Sequence, residues 1–146
     1  MPLRSRLLTL SLLAAASCPG AALRAQTPDS SERVETYSNG NVMLRYHVDD
    51  QGKLDGNYEA FLESGARTLF AVFAHGQRNG AWKEWRADGR KVRMFTYQHD
   101  VPHGECETFH PNGRQASIGD YRDGKRTGKW VETDASGDRR RTAEYR

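Results

Sequence analysis

A chain of 146 residues has room for one domain, and a mean hydropathy of −0.85 with 36% apolar residues excludes a thick core. Aromatic residues make up 10% of it, which suits a thin structure held by a few large side chains. The 22 basic against 19 acidic residues give a formal charge of +3, but that excess belongs to the N-terminus.

Arg4 and Arg6 precede an apolar run over residues 7–16, and small residues follow. A positive segment, a short apolar stretch and candidate cleavage sites make a secretory signal sequence. The run is about half of the ~20 residues that a membrane-spanning helix needs. Cleavage after Ala25 would leave residues 26–146, with Gln26 first. The alternative is lipidation at Cys18, since Ala16-Ser17-Cys18 resembles the end of a bacterial lipoprotein box, although Ala15 stands where leucine is usual. Removing residues 1–25 takes away Arg4, Arg6 and Arg24 and leaves 19 basic against 19 acidic residues. A neutral mature chain lacks the basic stripe that phosphates require, and Arg139-Arg140-Arg141 is a local cluster diluted by Asp138 and Glu144. No nucleic-acid partner and no transmembrane span are expected of the mature chain. Cys106 would then be the one cysteine left, so the exported domain folds without an internal disulfide.

Residues 26–35, with Pro28, Asp29, Ser30 and Ser31, read as a flexible leader. From residue 36 to 146 the chain repeats. Gly56, Gly80, Gly104 and Gly128 fall at steps of 24, each opening a segment with large side chains: Tyr58 and Phe61, Trp82 and Trp85, Phe109, and Trp130. A second aromatic column, Phe73, Tyr97, Tyr121 and Tyr145, keeps the same step, as does a third of Phe70, Met94, Ile118 and Thr142. The units lie near residues 36–55, 56–79, 80–103, 104–127 and 128–146, the first a degraded copy of the kind that caps a stack. Each divides into two strands joined at Ser64-Gly65, Asp88-Gly89, Asn112-Gly113 or Ser136-Gly137, where a small polar residue and glycine suit a tight hairpin. The second strand leads into a Gly-x-x-x-Gly linker such as Gly76 to Gly80. Frequent glycine and the lack of a 3.6-residue apolar period argue against helix. Trp82 and Trp85 lie three apart, as do Met94 and Tyr97, so either both faces carry large side chains or a bulge turns one of each pair.

Written out, Gly-x-Trp-x-x-Trp/Phe-x-x-x-Gly followed by Tyr-x-x-Gly-x-x-x-Gly resembles the variant MORN repeat of bacterial proteins, over roughly residues 36–146. The resemblance implies an all-β, elongated, twisted ribbon of stacked antiparallel hairpins. It also implies a binding or scaffolding role, some members of the class being grouped with an antitoxin family. Cys106 and Thr133 stand where the class has aromatics, and Asp100 where it has a linker glycine. With strands ~4.8 Å apart, four such units give a ribbon on the order of 40 Å long. A lone hairpin is marginal in water, so each unit leans on its neighbours. Replacing Trp82 by alanine is expected to cost about 3–5 kcal/mol if its column is core.

The residues with metal-binding chemistry are His99, His103, Cys106 and His110. Their spacings suit a turn, but the segment becomes extended at Gly104, and Cys106 occupies the column of Tyr58, Trp82 and Trp130. A small buried thiol and solvated histidines are the plainer reading, and neither metal nor cofactor is expected. No nucleophile elbow, His-Glu-x-x-His or phosphate-cradling loop occurs. The expectation is an exported, non-catalytic module, periplasmic or secreted, that binds a protein or a glycan. The alternative is an antitoxin or immunity protein neutralising a toxin.

Overall fold

The computed structural model describes residues 31–146; the expected signal sequence, with its choice between Ala25 and Cys18, lies outside the described residues. Eleven strands account for the regular structure: β1 Ser31–Thr36, β2 Val42–Val48, β3 Leu54–Phe61, β4 Arg67–Ala74, β5 Gln77–Trp85, β6 Lys91–Gln98, β7 Val101–Pro102, β8 Gly104–Phe109, β9 Gln115–Arg122, β10 Lys125–Thr133 and β11 Arg140–Tyr145. They form one open antiparallel sheet in chain order, with β1 and β11 at its edges. β7 and β8 both pair with β6 and are two halves of one strand interrupted at His103, between Pro102 and Gly104. Among the described residues no helix is long and apolar enough to cross a membrane. Residues 31–35, part of the expected leader, are paired in β1, where Ser31↔Val48 through Thr36↔Val42 dock them on β2.

The hairpin turns are of two kinds. At one end the chain closes with Gly89 N–H donating to the Arg86 carbonyl (2.9 Å) and Arg86 N–H to the Arg90 carbonyl (2.8 Å). Gly89 has φ +81°, and Asp88 Oδ1 accepts from Arg90 N–H at 3.0 Å. The small polar residue braces the turn while glycine supplies its left-handed position. At the other end, turns at His75-Gly76, His99-Asp100 and Asp123-Gly124 have both central residues at positive φ. That is the conformation in which two-residue hairpins match the twist of their strands. The expected Gly-x-x-x-Gly linker is therefore a two-residue turn followed at once by strand, with β5 beginning at Gln77.

Pairing across the sheet separates two faces, because cross-strand partners share one. One row runs Tyr46↔Tyr58↔Ala71↔Trp82↔Phe95, and Cys106↔Gly119 continues it through β8 and β9. The opposite face carries Arg45↔Glu59↔Phe70↔Lys83↔Met94↔Glu107↔Ile118↔Val131↔Thr142. Trp82 thus lies on the first face and Trp85 on the second, where Arg67 covers both Trp85 (4.9 Å) and Phe70 (5.8 Å). Both faces carry large side chains, as odd spacing on a strand requires.

With one layer, burial is scarce. The buried apolar side chains are Val48, Ala71, Cys106, Trp130 and Val131. Ala71, Cys106 and Val131 lie in these rows, and the Trp130 indole leans over Gly119 at the end of the first.

Candidate functional site

On the first face the rings form an unbroken ladder from β2 to β11. Successive centroids lie 5.9 Å apart for Tyr46–Tyr58 and Tyr58–Phe73, 6.4 Å for Phe73–Trp82 and 5.9 Å for Trp82–Tyr97. Phe95 then links Tyr97 to Tyr121 at 6.0 Å each, and Tyr121–Trp130 (5.2 Å) and Trp130–Tyr145 (6.3 Å) complete it. Phe73, Tyr97, Tyr121 and Tyr145 sit opposite Gly56, Gly80, Gly104 and Gly128. Most contacts are edge-on or tilted, which the ring quadrupole favours. Phe95 was not among the columns read from sequence, yet it fills the gap that Cys106 opens. Size is exchanged between strands: Phe95 beside Cys106, Gly119 beside Trp130.

Three ion pairs hold charges of this face within the chain. Glu84 accepts from Arg93 Nη2 (2.7 Å) and from the Trp82 indole N–H (2.6 Å). Arg126 lies 4.1 Å over Trp130 while donating to Glu132 Oε1 (2.9 Å) and the Tyr145 hydroxyl (3.2 Å). Arg78 lies 4.3 Å over Tyr97, and Asp100 Oδ1 accepts from both its Nε (2.8 Å) and its backbone N–H (3.0 Å). The departure from glycine at Asp100 thus gains a clamp on the preceding hairpin. The Arg78 hydrogen bonds hold the Asp100 carboxyl below the usual range. Partial burial works to raise Glu84, but its bonds from Arg93 and Trp82 prevail and hold it below the usual carboxylate range. Its contribution to stability is therefore present above its unfolded pKa and lost as pH falls through the lower folded value. Glu84→Gln keeps an acceptor for the indole but loses the ion pair. Its melting temperature is expected to fall below wild type at pH 7 and to converge with it as acidification protonates Glu84, below the usual carboxylate range, measured by circular dichroism.

The four residues with metal-ligand chemistry are not brought together. His99 forms the left-handed turn to Asp100, with φ +50°. His103 donates its backbone N–H to the Thr96 carbonyl (2.9 Å), and its Nδ1 lies 3.6 Å from Asp123. His110 is at the far end of β8, about 20 Å along the strand from His103, where Nε2 donates to the Thr133 carbonyl (2.6 Å). Among the described residues no three His, Cys, Asp or Glu side chains gather as a metal site. Cys106 is 1% exposed, and burial pushes its thiol up to about 11. It is a protonated, enclosed thiol with no nucleophile's environment. Native protein at pH 8 is expected to leave Cys106 unmodified by iodoacetamide over minutes, and urea to expose it, as read by peptide mass mapping.

The opposite face is mixed. Near β1–β4 its charges are paired: Glu59 meets Arg67 (2.7 Å) and Arg45 (3.8 Å), and Arg45 meets Glu32 (3.4 Å). Over β5, β6 and β8 a shallow depression of about 340 Å³ is lined by Ala81, Lys83, Lys91, Met94, Phe95, Thr96, Glu105 and Glu107. Among the described residues Lys83, Lys91, Glu105 and Glu107 make no ion pair, and the Lys91 ammonium lies 5.4 Å from the centre of the Phe109 ring. A second depression of about 300 Å³ lies at the strand ends between His103, Asp120, Arg122, Thr127 and Gly128. Only the pairing register divides these outward charges between the two faces. No family model matches the chain, and no curated protein matches it.

Proposed function

We propose that the chain is an exported, non-catalytic module of the variant MORN-like repeat class that binds a protein partner through its mixed face, around Met94. The charge commitment of the two faces carries this reading. On the ladder face Glu84 pairs with Arg93, Arg78 with Asp100 and Arg126 with Glu132, so the charges along the interior of that face are spent within the chain. Around Met94 two lysines and two glutamates surround an apolar floor without pairing among themselves. An apolar centre ringed by both signs of charge suits a protein surface, which offers the same combination.

The repeat reading is supported by the meeting of an aromatic with a left-handed glycine at Gly56, Gly80, Gly104 and Gly128. It is further supported by like tethers between successive turns: the Tyr37 hydroxyl to the Phe61 carbonyl (2.8 Å), and His110 to that of Thr133. The non-catalytic reading draws on the protonated Cys106 and on charges spent in structural pairs. Export rests on the N-terminal pattern of residues 1–25.

The test is affinity capture of the tagged chain from its cell envelope after gentle crosslinking, wild type beside Lys83→Glu and Glu107→Lys. A stoichiometric protein captured by the wild type and lost from both variants is the expected result. A partner held equally by all three moves the site off the mixed face, and bait alone overturns protein binding. An envelope component would identify a scaffold, and a toxin-like protein a neutralising role.

A further inference from the structure

The two edges of the sheet are different strands, and they match. Among the described residues β1 and β11 each have one neighbour. Wherever one hairpin passes to the next, the same register recurs. On the ladder face it pairs Leu44↔Ala60, Leu69↔Glu84, Arg93↔Thr108 and Ser117↔Glu132; on the mixed face, Arg45↔Glu59, Phe70↔Lys83, Met94↔Glu107 and Ile118↔Val131. β11 is the second strand of the last hairpin, with Glu132↔Arg141 and Val131↔Thr142 inside it. β1 is the first strand of the first hairpin, with Glu35↔Leu44 and Val34↔Arg45. Laying β1 of a second copy on β11 in the recurring register sets Arg141 opposite Glu35, Thr142 opposite Val34 and Ala143 opposite Arg33.

We infer that the chain self-associates head to tail, β11 of one copy pairing with β1 of the next. Opposite charges then face each other across the new junction, directly cross-strand and on one face. Among the described residues the large apolar side chains more than a third exposed are Val34, Val101 and Tyr145, and two of the three stand on these edges. Val34 takes the place of Val131, which is 7% exposed beside Ile118. Arg33 comes over Ala143 as Trp130 lies over Gly119, within reach of the Tyr145 ring, in the manner of Arg126 over Trp130. Every strand junction inside the chain is of this first-to-second or second-to-first kind, whereas pairing β11 with β11 would make a kind the sheet nowhere uses. A head-to-tail contact does not close on itself unless the rotation happens to bring it round, so the product is a linear series of copies. This junction does not depend on the mixed-face binding site; it lengthens both faces.

Sedimentation velocity of the full chain, expressed with its own leader and purified, tests this at low salt over a wide concentration range. Species beyond the dimer are expected, growing with concentration and receding at high ionic strength. Arg141→Glu and Glu35→Arg are each expected to weaken association about fivefold or more, and the double charge swap to restore it. Glu35 also accepts from the Tyr46 hydroxyl (3.0 Å), so Glu35→Gln, which keeps that acceptor, is run beside it and melting temperatures are measured for all variants. A chain monomeric throughout, a closed dimer, or a double swap as weak as either single variant would overturn the inference.

Discussion

Replacing Gly119 by alanine is expected to destabilise the sheet by about 3 kcal/mol, a large effect for one methyl group. A Cβ built on Gly119 would lie 2.3 Å from Cδ2 of Trp130, inside the indole itself. The backbone does not forbid alanine there, since Gly119 is absent from the residues of positive φ; the cause is proximity alone. Trp130 cannot swing away cheaply, being 1% exposed, bonded through Nε1 to the Asp120 carbonyl (3.1 Å), and covered by Arg126. Trp130→Ala should itself cost about 3–5 kcal/mol. The two changes remove one and the same contact, so their effects should not add. With Trp130 already gone, Gly119→Ala should be neutral or slightly stabilising, because alanine loses less backbone entropy than glycine in a strand. Urea unfolding of the four proteins measures this; simple additivity would show that the indole does not rest on Gly119.

Trp82→Ala is expected to cost about 2–3 kcal/mol, less than a fully buried tryptophan would. The structure lowers the sequence-based figure because the Trp82 side chain keeps part of its surface in water, whereas Trp130 does not. What is lost is the edge contact to Phe73 and Tyr97, the cover over Ala71, and the donor that Glu84 accepts. Trp82→Phe should recover most of the ring contacts but not the hydrogen bond. Because each hairpin leans on its neighbours, the loss should lower one cooperative transition rather than melt a single hairpin. Thermal unfolding followed at two wavelengths checks both points. An unchanged melting temperature would mean that this ring is not part of what holds the sheet together.

Much of this architecture was legible as pattern. The small polar–glycine pairs marked the turns closed by Gly65, Gly89, Gly113 and Gly137, because a tight turn needs its left-handed residue wherever the strands end. The aromatic columns marked which residues would meet, since strands of equal length bring like positions side by side. Phe95 was invisible for the opposite reason: it departs from its own column, and its value lies in the small Cys106 beside it, a relation between strands that spacing along one strand cannot express. Asp100 read as a lapse from glycine until Arg78, 22 residues earlier, was found clamped to it. The four metal-type residues looked close because they are close in sequence, but an extended strand carries His103 and His110 to its two ends.

The sequence by itself determined that the repeating part of the chain is an antiparallel β structure, turning at glycine and resting on its aromatic residues, because periodicity and turn chemistry are local properties of a chain. The tertiary structure decided the rest. Which of two tryptophans three residues apart faces which side, which charges are spent and which are free, and what each edge strand offers to another copy all follow from register. Register is a relation between strands, and only the assembled sheet contains it.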